Sequence, residues 1–256
     1  SGFLFAKEQL RMARFLADFL FKVAALKISM GSLRERLPRL RESAYLLVTM
    51  FPLLDGEALS RGEFVNRAYG SLQRAIQEGE GGPIAWFGMY TRIDGVKWKD
   101  AVHLAKKVHA AGETFFLHEE FIGFKECLAL IFSYGLCVLR TLFSYAHYPR
   151  LFRYTRDSSG GMDVWPLFKK DFLASFAGKE LMVQLSYYHA FSGALSRFRR
   201  DGVVLHFAEM HGWERALNAR VDEYPSMRSV GFQHTIVPLL LLNYFQGGRD
   251  CGPQPD

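Results

Sequence analysis

What most limits the folds open to this chain is an alternation of short apolar runs with helix-patterned segments. Five runs read as strands: Ala44 to Met50, Ile84 to Tyr90, Glu113 to His118, Val203 to Phe207 and Arg228 to Phe232. A helix pattern from Gly62 to Gln77 joins the first two, after breaks at Pro52 and Gly56. Another, from Asp100 to Ala111 and ending at Gly112, joins the second and third. Strand, helix, strand, helix, strand predicts right-handed crossovers and a parallel sheet. After His118 the alternation stops. The 84 residues before Val203 read almost entirely as helix, in segments 122–147, 164–176 and 179–199, with a Ser158-Ser159-Gly160-Gly161 loop. One crossover needs only about a dozen residues, so this stretch predicts a helical insertion. A helix from Gly212 to Glu223 then separates the last two strands.

The expected fold class is therefore α/β, a Rossmann-like, mostly parallel five-stranded sheet with a helical insertion between strands three and four. The expected organisation is an N-terminal helical segment over 1–40, with apolar side chains at helical spacing in 8–27 and Pro38 separating it from the first strand. A Rossmann-like domain follows over 41–245, with its insertion at about 119–202. Residues 246–256, rich in Gly and Pro, read as a linker toward a C-terminal domain beyond Asp256.

Charge and composition narrow the partners. A net charge of +6 would suit phosphates, nucleic acid or an anionic membrane. The cations are scattered, so no nucleic-acid stripe is expected. A solvated basic surface is the plain reading, followed by weak attraction to the inner membrane leaflet. Aromatic residues at 15%, with 23 Phe, point to thick helical layers or an apolar face that meets something else. The three cysteines lack metal-site spacing and fit a reducing, cytoplasmic compartment. The start carries no signal-peptide pattern. Only 13 residues lie between Glu126 and Arg140, too few uncharged positions to cross a bilayer.

In open parallel sheets, ligands bind outside the carboxyl ends of the strands, where strand order reverses. That rule selects Thr49, Pro52 and Asp55 after strand one, and Tyr90, Thr91 and Arg92 after strand two. It adds His118, Glu119 and Glu120 after strand three, Glu209, His211 and Trp213 after strand four, and Gln233, His234 and Thr235 after strand five. Glu209 precedes a helix start, where backbone N–H groups favour an anion. A carboxylate there can act as general base or grip sugar hydroxyls; the rival role is a helix cap or an arginine partner. His234 can contact phosphate, move a proton or orient a hydroxyl; the rival is a hydrogen-bonded structural histidine. Glu119-Glu120 suggests paired-carboxylate chemistry against a capping role. Arg150-Leu151-Phe152-Arg153-Tyr154 suggests a membrane or acceptor contact against ordinary packing. No Gly-x-Gly-x-x-Gly, P-loop, His-Glu-x-x-His or Gly-x-Ser-x-Gly motif occurs, and no Asp-x-Asp pair. These gaps disfavour dehydrogenase, P-loop kinase and zinc-protease chemistry, and no metal or cofactor is expected.

The segment Phe207-Ala208-Glu209-Met210-His211-Gly212-Trp213-Glu214-Arg215-Ala216-Leu217, followed by Val230-Gly231-Phe232-Gln233-His234-Thr235, resembles a family of bacterial surface carbohydrate biosynthesis proteins. Leu47 to Pro52 and Met162 to Phe168 resemble further segments of it, and the similarity runs from about residue 40 to the end. The resemblance implies a glycosyltransferase-like protein of two Rossmann-like halves, distantly similar to capsule and lipopolysaccharide Kdo transferases. It implies a nucleotide-sugar donor and a glycan acceptor as substrates, with the donor usually held by the second half. Under it, Glu209 and His234 are the catalytic candidates, and Gln233, Trp213, Glu214 and Thr235 the substrate-binding ones. The competing expectations are a non-catalytic module that binds glycan or docks on membrane-bound assembly machinery, and a phosphate-sugar-modifying enzyme using the same cleft.

Overall fold

The computed structural model describes residues 2–79, 81–154, 162–209 and 211–233. In chain order the elements are α1 (Gly2–Ser29), α2 (Leu33–Glu42), β1 (Tyr45–Phe51), α3 (Gly56–Ser60), α4 (Gly70–Glu78), β2 (Ile84–Tyr90), α5 (Trp98–Ala110) and β3 (Thr114–Leu117). A 3₁₀ turn (His118–Phe121) leads into α6 (Phe124–Ser144), α7 (Tyr148–Leu151) and the short antiparallel pair β4 (Arg153–Tyr154) and β5 (Met162–Asp163). Then come α8 (Trp165–Ala177), α9 (Lys179–Leu195), β6 (Val203–Phe207), α10 (Gly212–Val221) and β7 (Arg228–Phe232).

Five strands form one all-parallel sheet in the order β3-β2-β1-β6-β7. Side chains alternate across it because strand residues point to opposite faces in turn. Leu46, Val48, Ala85, Phe87 and Val204 pack on one side with Phe191 of α9 and Trp213 and Leu217 of α10. Leu47, Trp86, Phe115, Leu205 and Phe207 pack on the other with Ala101, Ala105 and Val108 of α5. Helices thus cover both faces, as the Rossmann-like expectation required. Between β3 and β6 the chain runs mainly through α6, α8 and α9, which pack on one another and on α1.

The expectations for local structure needed three corrections. Pro38 lies inside α2 rather than between a helix and a strand. The helix expected over 62–77 begins only at Gly70, and a separate short helix precedes it at Gly56–Ser60. Asp55 Oδ1 accepts the N–H groups of Glu57 and Ala58 to start α3, and Gly62, at φ +83°, ends that turn. Asn66 Oδ1 then accepts from Ala68 and Tyr69 ahead of α4. Finally, β3 stops at Leu117 because the Glu120 carboxylate takes the Leu117 N–H at 2.8 Å.

Order reverses between β1 and β6, and these strands pair only over their first three residues, Tyr45↔Val203 to Leu47↔Leu205. Beyond that they part, and Tyr69 fills the base of the gap. Its hydroxyl lies 2.8 Å from the Val48 carbonyl and 2.9 Å from that of Leu205, sharing one proton between two acceptors. Burial raises its pKa well above the usual phenol value, so it stays a donor. Tyr69→Phe should therefore destabilise by about 1–3 kcal/mol, the cost of leaving buried carbonyl oxygens without a donor. A lowered urea midpoint at unchanged slope would show it.

Candidate functional site

The carboxyl edge of the sheet carries three groups of polar residues. At the β1 tip, Thr49 and Asp55 are held in structure. Thr49 Oγ1 accepts from Asn66 Nδ2 at 2.9 Å, Gln73 braces Asn66 and Phe64, and Asp55 caps α3. With Tyr69 beneath them, these residues close the floor of the switch-point crevice.

The β6 and β7 tips are neighbours. Their ladder runs in register to Phe207↔Phe232, and the Ala208 N–H extends it by donating to the Phe232 carbonyl at 2.9 Å. Glu209 and Gln233 therefore leave adjacent strand ends. The Glu209 side chain is half-buried, and its carboxylate lies 3.4 Å from Nε2 of the more exposed His211. Gln233 is exposed. His234 and Thr235 lie outside the described residues, as does Met210.

Trp213 and Glu214 sit deeper than a direct contact with substrate would place them, at 3% and 5% exposed. Trp213 packs in the core against His206, with ring centroids 6.0 Å apart, and stacks toward His211. Glu214 closes the turn into α10. Its carboxylate accepts the Glu209 N–H at 3.1 Å and the His211 N–H at 3.0 Å, in a capping box with His211 at the N-cap. Both residues bear on Glu209 through the shape of that turn. Two carboxylates stand at the α10 N-terminus, so the anion that its backbone N–H groups favour is supplied by the chain itself. They already occupy the positive end of the helix and would repel a phosphate. A hydroxyl-rich ligand suits the place better.

Behind this tip His206 is fully buried, with Nδ1 2.7 Å from the Phe207 carbonyl and Nε2 3.2 Å from Ser229 Oγ, which is 2.6 Å from Asn218 Oδ1. Burial lowers its pKa, which makes it a neutral pin between β6, β7 and α10.

The β3 tip holds His118, Glu119 and Glu120, all buried. Glu120 is ion-paired with Arg36 of α2. Glu119 Oε2 and His118 Nδ1 are 3.1 Å apart but misaligned, so neither makes a hydrogen bond. Desolvation pushes the Glu119 carboxyl up to about 8, against a smaller lowering effect of Lys22, and pushes the His118 imidazole down to about 3, in the same direction as Lys22. Two neutral side chains are the result. They are walled by the rings of Phe19 and Tyr187.

Next to them, between α1, Tyr90 at the end of β2 and the start of α9, lies an open cleft of about 750 Å³, lined by Arg11, Arg14, Lys22 and Lys179 with Glu8, Asp18 and Glu180. Lys22 Nζ is 2.7 Å from Asp18 and lies over the rings of Tyr90 and Trp98. Sequence reasoning named Tyr90 here but none of the charged residues. They come from α1 and α9, far along the chain, and no local spacing signals their approach. Among the described residues no cluster of three or more His, Cys, Asp or Glu is placed to hold a metal ion.

The strand order and the helices on both faces place the chain in the Rossmann-like α/β class. Comparison with protein-family models, with curated proteins and with solved structures finds no match to it.

Proposed function

We propose that this chain belongs to an enzyme that transfers a sugar from a nucleotide-activated donor to a glycan during bacterial surface polysaccharide assembly. The observation that carries the reading is the shared register of β6 and β7, which brings Glu209 and Gln233 to adjacent strand ends beside the switch point. In this reading an acceptor hydroxyl gives its proton to the Glu209 carboxylate as its oxygen attacks the anomeric carbon. The sugar–phosphate bond breaks and the nucleotide leaves with its electron pair. Gln233 is assigned to hydroxyls of the acceptor, and His234 and Thr235 to the donor phosphate. Glu214 and Trp213 position Glu209 by fixing the turn behind it. The pair of carboxylates at the α10 start favours a hydroxyl ligand beside Glu209, which supports reading Glu209 as the base for the acceptor.

The full-length protein, offered a panel of nucleotide sugars, should show turnover. Glu209→Gln should lower kcat by about a hundredfold, within the range of a positioned general base. His234→Ala should raise KM for the donor. Turnover at the wild-type level in both variants, or no turnover of any donor by the wild type, would sink the reading.

A further inference from the structure

A surface helix ordinarily turns charged and polar residues toward water; α6 does the opposite. Its inner side is tied to the protein. Tyr134 Oη donates to the Ala177 carbonyl at 2.8 Å, and Thr141 Oγ1 to that of Phe176 at 3.1 Å, while Leu130 is fully buried. On the outer side Phe124, Leu128, Phe132, Leu136, Leu139 and Phe143 are exposed, Phe132 by 73% and Phe143 by 84%. At 3.6 residues per turn these positions form a stripe about 120° wide, a third of the helix circumference. Lys125 lies within that stripe, near the helix start, and Arg140 just beyond its border. A contiguous apolar surface of this extent marks an interaction site.

We infer that the outer face of α6 lies flat in the headgroup boundary of an anionic bilayer. The helix is 21 residues long and runs through both charges, so it is apolar enough and long enough to cross a membrane. Its inner half is nevertheless held by α8 and α9, and lipid cannot surround it. Such a helix rests in the interface plane. Charge selects the surface. Lys125 and Arg140 on α6, Arg150 on α7 and Lys170 on α8 are exposed around the face, opposed by the exposed Asp163 and Asp171. Glu126 is turned back to accept the Gly123 N–H at 2.9 Å. A second copy of this chain would bring the same cations against one another, whereas an anionic leaflet is complementary to them. Exposed Leu151, Leu167 and Phe168 extend the apolar surface near the C-terminal end of α6, where Tyr145 packs on Trp165 and Phe152 on Phe168.

The inference does not depend on the sugar-transfer reading, since vesicle binding and turnover are separate measurements. The full chain should co-sediment with vesicles of phosphatidylglycerol and phosphatidylethanolamine, and weakly with phosphatidylcholine alone. Phe132→Asp with Leu136→Asp should weaken that binding about a hundredfold, from the apolar burial lost. Both sites are exposed, so unfolding midpoints should not fall. Lys125→Ser with Arg140→Ser should weaken binding to the anionic vesicles by about tenfold or more and leave phosphatidylcholine binding unchanged. Three results would each overturn the inference. The wild type binds no vesicles, the aspartate variant binds as well as wild type, or the lipid-free protein is a stable dimer that the aspartate variant splits.

Discussion

Arg36→Ala is expected to destabilise the protein by about 3–5 kcal/mol, the usual cost of stranding one partner of a buried ion pair. The reason lies in where the pair sits. Among the described residues β3 is an edge strand, and its outer backbone groups meet no neighbouring strand. Arg36 donates to the Phe115 carbonyl at 3.2 Å, and the Glu120 carboxylate accepts the Leu117 N–H at 2.8 Å. The guanidinium also lies over the Phe116 ring, 5.2 Å from its centroid. One ion pair thus covers the free edge of the sheet. Desolvation raises the Glu120 pKa, and Arg36 opposes that rise. Without the arginine the carboxyl can escape by taking a proton, so the loss should be smaller at pH 5 than at pH 8. Replacing both partners with apolar residues, Arg36→Met with Glu120→Leu, removes the stranded charge but leaves the Phe115 carbonyl and the Leu117 N–H without partners, so it should recover only part of the loss. Urea midpoints for the three proteins at the two pH values check this. A loss independent of pH, or full recovery in the double variant, would show that the pair is not what holds the edge.

The sequence exposed the sheet more fully than the chemistry around it. Val203–Phe207 and Arg228–Phe232 are found with the bounds predicted, because Gly202 and the turn after Tyr224 punctuate short apolar runs. Two such strands, read as parallel neighbours, already bring Glu209 and Gln233 to one edge. That the chain supplies its own anion at the α10 start was legible, since Glu214 stands three residues after the N-cap, in capping-box spacing. The late start of the helix expected over 62–77 depends on Asn66, whose bonds to Thr49 and Gln73 form only once the loop folds over β1. Arg36 and Glu120 are 84 positions apart, and nothing local marks them as partners. For α6, counting uncharged residues gave too short a span. The helix continues through Glu126 and Arg140, and α9 and α8 cover only one side of it.

The neutral pair at the β3 tip should give the protein a flat stability optimum between about pH 4.5 and 6.5, with a fall on either side. Glu119 has an ordinary value of 4.5 and a folded value of about 8, so folding takes up a proton between those limits. Its contribution is complete below pH 4.5 and is lost as pH rises through 8. His118 moves the other way, from 6.5 down to about 3, so its contribution is complete above 6.5 and is lost as pH falls through 3. Between 4.5 and 6.5 the two slopes, each about 1.4 kcal/mol per pH unit, cancel. Outside that window one slope acts alone. Glu119→Gln keeps the shape and removes the charge, so it should abolish the alkaline fall. Relative to their difference at pH 4, the variant should exceed the wild type by about 4 kcal/mol at pH 8, where unfolded Glu119 is ionised and folded Glu119 only half so. His118→Asn should abolish the acid fall. The deciding measurement is unfolding free energy by urea from pH 3 to 9 for the three proteins. An alkaline limb that survives Glu119→Gln unchanged would mean that folding does not protonate this carboxyl and that another buried acid, such as Glu120, whose pKa desolvation also raises, carries the fall.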